Sequence, residues 1–153
     1  MGTSAIDLLK SDHDTVRKLL DQLTNTTNRA VKSRGELLEK IAEELRIHTR
    51  IEEEIFYPAF MAAGGRQHNK LNYEAREEHR AVEELVMPDL EATDTGTDEF
   101  AGRAKVLKEL VEHHADEEES SMFPMARKAL SKSDLERLGT QMQERKRELL
   151  SNP

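Results

Sequence analysis

The fold is decided by residues 48–58, HTRIEEEIFYP, and by a second form of the same pattern at residues 114–124, HADEEESSMFP. In each segment a glutamate follows the histidine by four residues, and an aromatic residue and a proline close the segment. The two segments lie 66 residues apart, and the same interval separates His13 from His79. We therefore interpret the chain as two copies of one helical hairpin.

The rest of the chain carries helical signals, and no segment shows the alternation of apolar and polar residues that is typical of a strand. We predict an all-α fold, an up-down-up-down four-helix bundle with a short C-terminal extra helix. The bundle is expected to span about residues 4–130 and the extra helix about residues 133–150, within a single domain of residues 1–153.

Several residues indicate where these helices begin and end. Ser4 is a candidate cap for the first helix, Asp98 for the fourth and Ser133 for the extra helix. Pro58 is expected to kink the second helix or to end its regular part. His68 falls in the predicted loop before the third helix and is expected to be exposed.

Composition excludes several classes of function. The chain has no cysteine and a formal net charge of -8. Without cysteine there are no disulfides, iron–sulfur clusters or thiol catalysis, and the acidic balance argues against nucleic acid as a partner. The basic segment at residues 143–149 is interleaved with glutamates and is expected to be a solvated helix face. Since no signal peptide or membrane-spanning run is visible, we expect a cytoplasmic protein that does not bind membranes.

Both HxxxE motifs are predicted to point into the core. Positions four apart on a helix share a face, and the apolar stripe of each of these helices runs through both the histidine and the glutamate. The predicted inward-facing polar residues are His13, His48, Glu52, His79, His114 and Glu118. The acidic neighbours of the two glutamates are expected to be solvated or to lie behind the inward-facing residues rather than among them; they are Glu53, Glu54, Glu117 and Glu119.

Two buried carboxylates need a compensating charge, because an unpaired one costs several kcal/mol. No lysine or arginine occupies the same stripes. Metal cations would neutralise the glutamates, and a set of imidazole and carboxylate donors suits a transition metal such as iron better than calcium or magnesium. A metal-free helical interaction module is the alternative, and it requires these glutamates to be protonated or paired.

The order H, HxxxE, H, HxxxE, with an aromatic–proline pair after the second and fourth elements, resembles the hemerythrin-like HHE cation-binding family over about residues 5–130. The segments IHTRIEEEIFYPA and HADEEESSMFP look especially like its mycobacterial members. The resemblance implies a four-helix bundle holding two non-haem iron ions joined by an oxo or hydroxo bridge. It also implies terminal ligands at His13, His48, His79 and His114 and bridging ligands at Glu52 and Glu118.

The third helix departs from the pattern of the oxygen-carrying hemerythrins, which place two histidines there at HxxxH spacing. Ala75 and Glu83 stand at those distances from His79. Tyr57, Glu83 or a solvent molecule could replace the missing ligand. We predict Tyr57, although an ideal α-helix turns it about 140° away from Glu52, because the proline that follows can distort the helix.

The leading functional hypothesis is a di-iron protein that reacts with hydrogen peroxide or dioxygen, with catalase-like turnover as one form of that reactivity. A phenolate in place of a neutral histidine favours ferric iron and disfavours reversible oxygen carriage. Haem catalases also use a tyrosine ligand, although this is an analogy. The alternative is a non-catalytic protein that binds dioxygen or nitric oxide, or senses iron or redox state. We expect a small diatomic or peroxide ligand as the partner, and a monomer or weak homodimer.

Overall fold

Helices make up almost all of the chain. The computed structural model describes residues 3–152, and among these residues there is no β-strand. The α-helical segments are α1 (Ala5–Thr24), α2 (Val31–Ile51), α3 (Tyr57–Ala62), α4 (Arg66–Ala81), α5 (Met87–Glu91), α6 (Asp98–Glu117), α7 (Phe123–Ala129) and α8 (Lys132–Ser151). None of the described helices is long and apolar enough to cross a membrane.

Three π-helical turns join these segments into longer continuous helices. They are π1 (Glu52–Phe56) between α2 and α3, π2 (Val82–Val86) between α4 and α5, and π3 (Glu118–Met122) between α6 and α7. The bundle therefore has four long helices, α1, α2–π1–α3, α4–π2–α5 and α6–π3–α7. Glu52 and Glu118 are each the first residue of a π turn.

The proline after each π turn gives a physical reason for the irregularity. In π1 the amide of Tyr57 bonds to the carbonyl of Glu52, five residues earlier, and Pro58 follows directly. A proline inside a regular α-helix lacks the amide donor and its ring clashes with the carbonyl four residues before it. The wider π turn accommodates the ring. The second helix therefore continues past Pro58, but its regular α-helical part ends at Ile51, before the π turn, which is one of the two outcomes that the proline predicted.

The packing of the segments matches the predicted topology. The helix α1 packs against α2 and α6, α3 packs against α4, and α5 packs against α6. The C-terminal helix α8 has 20 residues and lies across α1, α2 and π1. The prediction of an all-α, up-down-up-down four-helix bundle with an extra C-terminal helix is confirmed.

One predicted cap is correct and two are displaced. The hydroxyl of Ser4 accepts a hydrogen bond from the amide of Asp7, as expected. The fourth helix is capped by Thr97, since Asp98 is already its first helical residue. The last helix is capped by Ser131, two residues before the predicted Ser133.

His68 is buried, and its predicted place in an exposed loop is wrong. The third helix begins at Arg66, so the histidine lies in its first turn. Its ring stacks on Phe60 with centroids 4.1 Å apart, and Nδ1 lies 2.8 Å from the backbone carbonyl oxygen of Phe60. A Cβ atom on Gly64 would overlap the imidazole, so the glycine leaves room for this contact.

A polar layer divides the apolar core into two clusters. Along α1, Leu9 belongs to one cluster and Val16 to the other, and His13 lies between them. Along the second helix, Ile41 and Ile51 flank His48 in the same way. The bundle thus holds its histidines in the middle of the core, with apolar packing on both sides.

Candidate metal centre

The six polar residues predicted to face inward come together in this layer. All are at least nine-tenths buried: His13, His48, Glu52, His79, His114 and Glu118. Each of the four long helices supplies one histidine, and the second and fourth helices add the glutamates that begin their π turns. The helical-face reasoning therefore placed these six side chains correctly, while their role as ligands stays a proposal.

The donor atoms form two groups that share one carboxylate. The first group consists of His13, His48, Glu52 and Glu118, whose donor atoms all lie within 4.8 Å of one another. In the second group Glu52 joins His79 and His114 within the same limit. Glu118 also reaches both groups, because its Oε1 lies 3.0 Å from Nε2 of His13 and 3.5 Å from Nε2 of His114. Two pairs of histidines thus flank two shared carboxylates.

Tyr57 extends its hydroxyl into the second group. The hydroxyl donates a hydrogen bond to Oε2 of Glu118 over 2.6 Å, and lies 3.2 Å from Oε1 of Glu52. It is also 3.3 Å from Nε2 of His79 and 3.4 Å from Nε2 of His114. The π turn explains how this residue, five positions after Glu52, returns to the same face of the helix.

Glu83, the other candidate for the missing ligand, is exposed and belongs to neither donor group. The tyrosine is 0% exposed. The geometry therefore favours Tyr57 over Glu83 as an additional donor at this site.

The outer nitrogen of every histidine in the layer contacts a carboxylate. The Nδ1 distances are 2.7 Å for His13 to Glu119, 3.0 Å for His48 to Asp12, 2.7 Å for His79 to Glu53 and 2.7 Å for His114 to Glu78. We assign a hydrogen to each Nδ1, since only a donor satisfies these carboxylates. With a metal bound, Nε2 would carry no hydrogen, and its lone pair would face inward as a metal ligand requires.

Asp12 and Glu78 are functional neighbours that the helical-face reasoning missed. The sequence does contain a pattern that indicates them. Each directly precedes a histidine of the layer, and the two are 66 residues apart. Glu53 and Glu119, which follow the buried glutamates, show the same interval. The internal repeat therefore extends beyond the ligand candidates to the carboxylates that orient them.

Basic side chains balance three of these outer carboxylates. Arg17 lies 2.9 Å from Glu119, and Arg76 lies 3.5 Å from Glu53. Lys146 of α8 lies 2.6 Å from Asp12. Lys146 therefore does more than contribute to a solvated helix face, which was the expectation for residues 143–149.

Two buried atoms in the layer have unmet bonding capacity. Within the described residues, Oε2 of Glu52 has no hydrogen-bond partner, and Nε2 of His48 lies 3.0 Å from Oε1 of Glu52 without hydrogen-bond geometry. The Nε2 atoms of His79 and His114 lie only 3.1 Å apart, and two lone pairs at that distance repel unless a proton or a cation lies between them. Metal ions held by the two donor groups would satisfy all four atoms, so the residues present fit a metal centre with two sites.

The ionisation of these groups also favours a cation. Burial raises the pKa of Glu52, but His48 and the surrounding hydrogen bonds outweigh it and hold the pKa well below its usual range. Burial lowers the pKa of His48, but Glu52 and Asp12 raise it to about 10. Burial and the carboxylates of Glu118 and Glu52 raise the pKa of Tyr57 well above its usual range. Glu52 is thus ionised and needs positive charge beside it, which protons on the histidines or a metal can supply.

Comparisons with known proteins agree with this site. The model of the Hemerythrin HHE cation binding domain matches residues 4–126. The uncharacterized protein Rv2633c of Mycobacterium tuberculosis and the uncharacterized protein Mb2666c of Mycobacterium bovis are each 32% identical over 151 residues, which is 98% of this chain and 89% of theirs.

A solved structure is similar over the same extent. The crystal structure of a Hemerythrin HHE cation binding domain-containing protein, the Rv2633c homolog from Mycobacterium kansasii, superimposes with a TM-score of 0.84 at 29% identity. The similarity covers 97% of this chain and 88% of that one. With four of its six histidines and two glutamates gathered in one buried layer, the chain belongs to the hemerythrin HHE cation-binding domain family.

Proposed function

We propose that the protein binds two iron ions and that this centre reacts with hydrogen peroxide or dioxygen. The observation that carries the proposal is the pair of donor groups that share Glu52, with two histidines in each and Glu118 within reach of both. Two adjacent iron ions supply two one-electron couples in one place, which suits the two-electron reduction of a peroxide.

In this proposal the side chains of the layer have different roles. The four imidazoles hold the metals through Nε2, and their Nδ1 hydrogens stay bound to carboxylates. Glu52 and Glu118 neutralise positive charge and link the two groups. The apolar clusters on both sides of the layer lower the local dielectric, which strengthens the electrostatic interactions inside it.

Tyr57 is proposed as a further ligand, with Glu83 disfavoured by its exposure. The phenol donates a hydrogen bond to Glu118, and its oxygen would have to lose that proton to act as a metal ligand. The resulting anion adds negative charge beside two glutamates, and added negative charge favours the ferric state. This supports peroxide chemistry, including catalase-like turnover, over reversible oxygen carriage.

Metal analysis and an oxygen electrode test the proposal. After expression in iron-rich medium, we expect two iron ions per chain and, on addition of hydrogen peroxide, more oxygen than the same amount of free iron releases. Fewer than about one metal per chain would contradict the metal proposal. No oxygen above the free-iron level would contradict catalase-like turnover.

The non-catalytic alternative has its own signature in the same samples. It predicts a stable diferrous form whose spectrum changes on addition of dioxygen or nitric oxide without turnover. We further propose that residues 1–153 form a single domain that acts in the cytoplasm, without nucleic acid, as a monomer or weak homodimer.

A further inference from the structure

A cavity of about 380 Å³ lies beside the metal centre and is partly open to solvent. The ligand candidates that line it are His13, His48, His79 and His114. Glu52, Glu118 and Tyr57 are absent from its lining. The cavity therefore approaches the histidines from a different side than Tyr57, so a ligand in the cavity would not displace the phenol.

The walls of the cavity are mostly apolar and come from all four long helices. The apolar lining residues are Val16, Ala42, Leu45, Val82, Met87, Val111 and Ala115. The charged residues among the lining that do not contact the histidines are Arg46, Glu83 and Glu91. Of these, Glu83 and Glu91 are exposed and Arg46 is half-buried, so the charges sit towards solvent and the interior is apolar.

The volume exceeds what a diatomic molecule or hydrogen peroxide requires. A water molecule takes up about 30 Å³ in the liquid. The volume of the cavity is therefore roughly ten times the volume that such a small ligand occupies. An apolar cavity of about 150 Å³ holds a benzene molecule, and pockets of about 300–1,000 Å³ accommodate small organic ligands. The cavity thus has the size and the surface of a site for an organic molecule.

We propose that this cavity binds the apolar body of an organic hydroperoxide, ROOH, and directs its peroxide group towards the four histidines. The inference rests on the proposed reactivity with peroxide and names the class of peroxide. The part of the lining nearest to solvent carries two carboxylates, Glu83 and Glu91, and one positive charge, Arg46. Its net negative charge disfavours an anionic substrate, so R is neutral and apolar.

The reaction of such a substrate balances with ferrous iron as the reductant. The O–O bond of ROOH breaks, and the molecule takes up two electrons and two protons to give ROH and water. Two ferrous ions held by the histidines and glutamates of the layer would supply one electron each and become ferric, and solvent would supply the two protons. The apolar product ROH fits the same cavity. Its binding therefore tests the cavity without requiring any turnover.

Calorimetry with 2-phenyl-2-propanol, the alcohol derived from cumene hydroperoxide, tests the cavity in the iron-loaded protein. Val111→Phe narrows the cavity from α6, and we expect the alcohol to bind about tenfold more weakly or not at all. Val106→Phe is the matched control, because Val106 is on the same helix, is 49% exposed and does not line the cavity. Ala42→Leu narrows the cavity from α2 and replaces the first variant if that one folds poorly.

Stopped-flow oxidation of the diferrous protein gives the second readout. The rate constant for cumene hydroperoxide, divided by that for hydrogen peroxide, should fall about tenfold in Val111→Phe and stay at the wild-type value in Val106→Phe. An unchanged ratio in Val111→Phe, with iron content and helicity intact, overturns the proposal. So does an alcohol that fails to bind the wild-type protein or binds all variants equally.

The two readouts separate this inference from the proposed function. If hydrogen peroxide oxidises the diferrous protein but the alcohol does not bind, only the cavity assignment fails. If neither peroxide oxidises the iron, the peroxide function fails, and the assignment of a hydroperoxide fails with it even where the alcohol binds.

Discussion

Lys146 of the C-terminal helix reaches Asp12 of the first helix, with Nζ 2.6 Å from Oδ1. The other carboxylate oxygen of Asp12 lies 3.0 Å from Nδ1 of His48. Burial raises the pKa of Asp12, but His48 and Lys146 outweigh this effect and lower it. The family model matches up to residue 126, so α8 lies outside the matched region. Its Lys146 nevertheless places a positive charge on Asp12, which directly precedes the ligand candidate His13.

Replacing Lys146 should make the iron centre harder to reduce. In Lys146→Met a positive charge near the metals is lost, and its loss favours the ferric state. We expect the reduction potential to fall by on the order of 20–60 mV in a redox titration. Arg145→Met is the control, since Arg145 pairs with Glu54 and Glu148 on the surface. An equal shift in both variants would show that the effect is not specific to the contact with Asp12.

The carboxylate on the outer nitrogen of His114 should strengthen metal binding. In Glu78→Gln the 2.7 Å contact loses its charge, and loss of such an orienting partner weakens metal affinity by about 10–100-fold. Competition with a chromogenic iron chelator measures the change. Glu77→Gln is a matched control, because Glu77 is exposed and pairs with Arg80. Equal affinities of the two variants would contradict the orienting role.

The two shared glutamates should be essential for a two-metal site. Glu52→Ala or Glu118→Ala removes a carboxylate that both donor groups use, and we expect neither variant to retain two iron ions per chain. Glu54→Ala should keep its iron, because Glu54 points outward to Arg145. Elemental analysis of the purified proteins measures the iron content of each variant. Equal iron content in all three variants would refute the assignment of ligands.

The six residues of the polar layer could be predicted because two regularities agree. The spacing of four places His48 and Glu52 on one helical face, and the 66-residue repeat reproduces this pair as His114 and Glu118. A helical face is a local property, so it depends little on how the helices pack. A symmetric repeat then brings equivalent faces to one centre.

Other features depend on packing and could not be read from one helix alone. Asp12 contacts a histidine of the neighbouring helix, and regular helical geometry turns it about 100° away from His13. The burial of His68 depends on its contact with Phe60 in the preceding helix. For Tyr57, regular geometry gave the wrong face, and only the π turn before Pro58 brings its hydroxyl to Glu118.

Tyr57 can be tested by absorption spectroscopy, because a phenolate bound to ferric iron gives a visible charge-transfer band. We expect Tyr57→Phe to keep most of its iron and to lose that band. The chain has only two tyrosines, and Tyr73 is 62% exposed, so Tyr73→Phe is the natural control. If the band survives in Tyr57→Phe, Tyr57 is not the ligand. Loss of the band in Tyr73→Phe would also contradict its assignment to Tyr57.

Removal of the metal should destabilise the fold, because the layer then holds Glu52 without a metal cation and Nε2 of His79 and His114 only 3.1 Å apart. A ligand present at 100 times its dissociation constant stabilises the folded state by about 2.7 kcal/mol. For a chain of this length that corresponds to about 5–10 °C in Tm. Scanning calorimetry of iron-loaded and chelator-treated protein measures the difference. In Glu52→Ala the difference should largely disappear, whereas an equal difference in that variant would place the stabilising metal elsewhere.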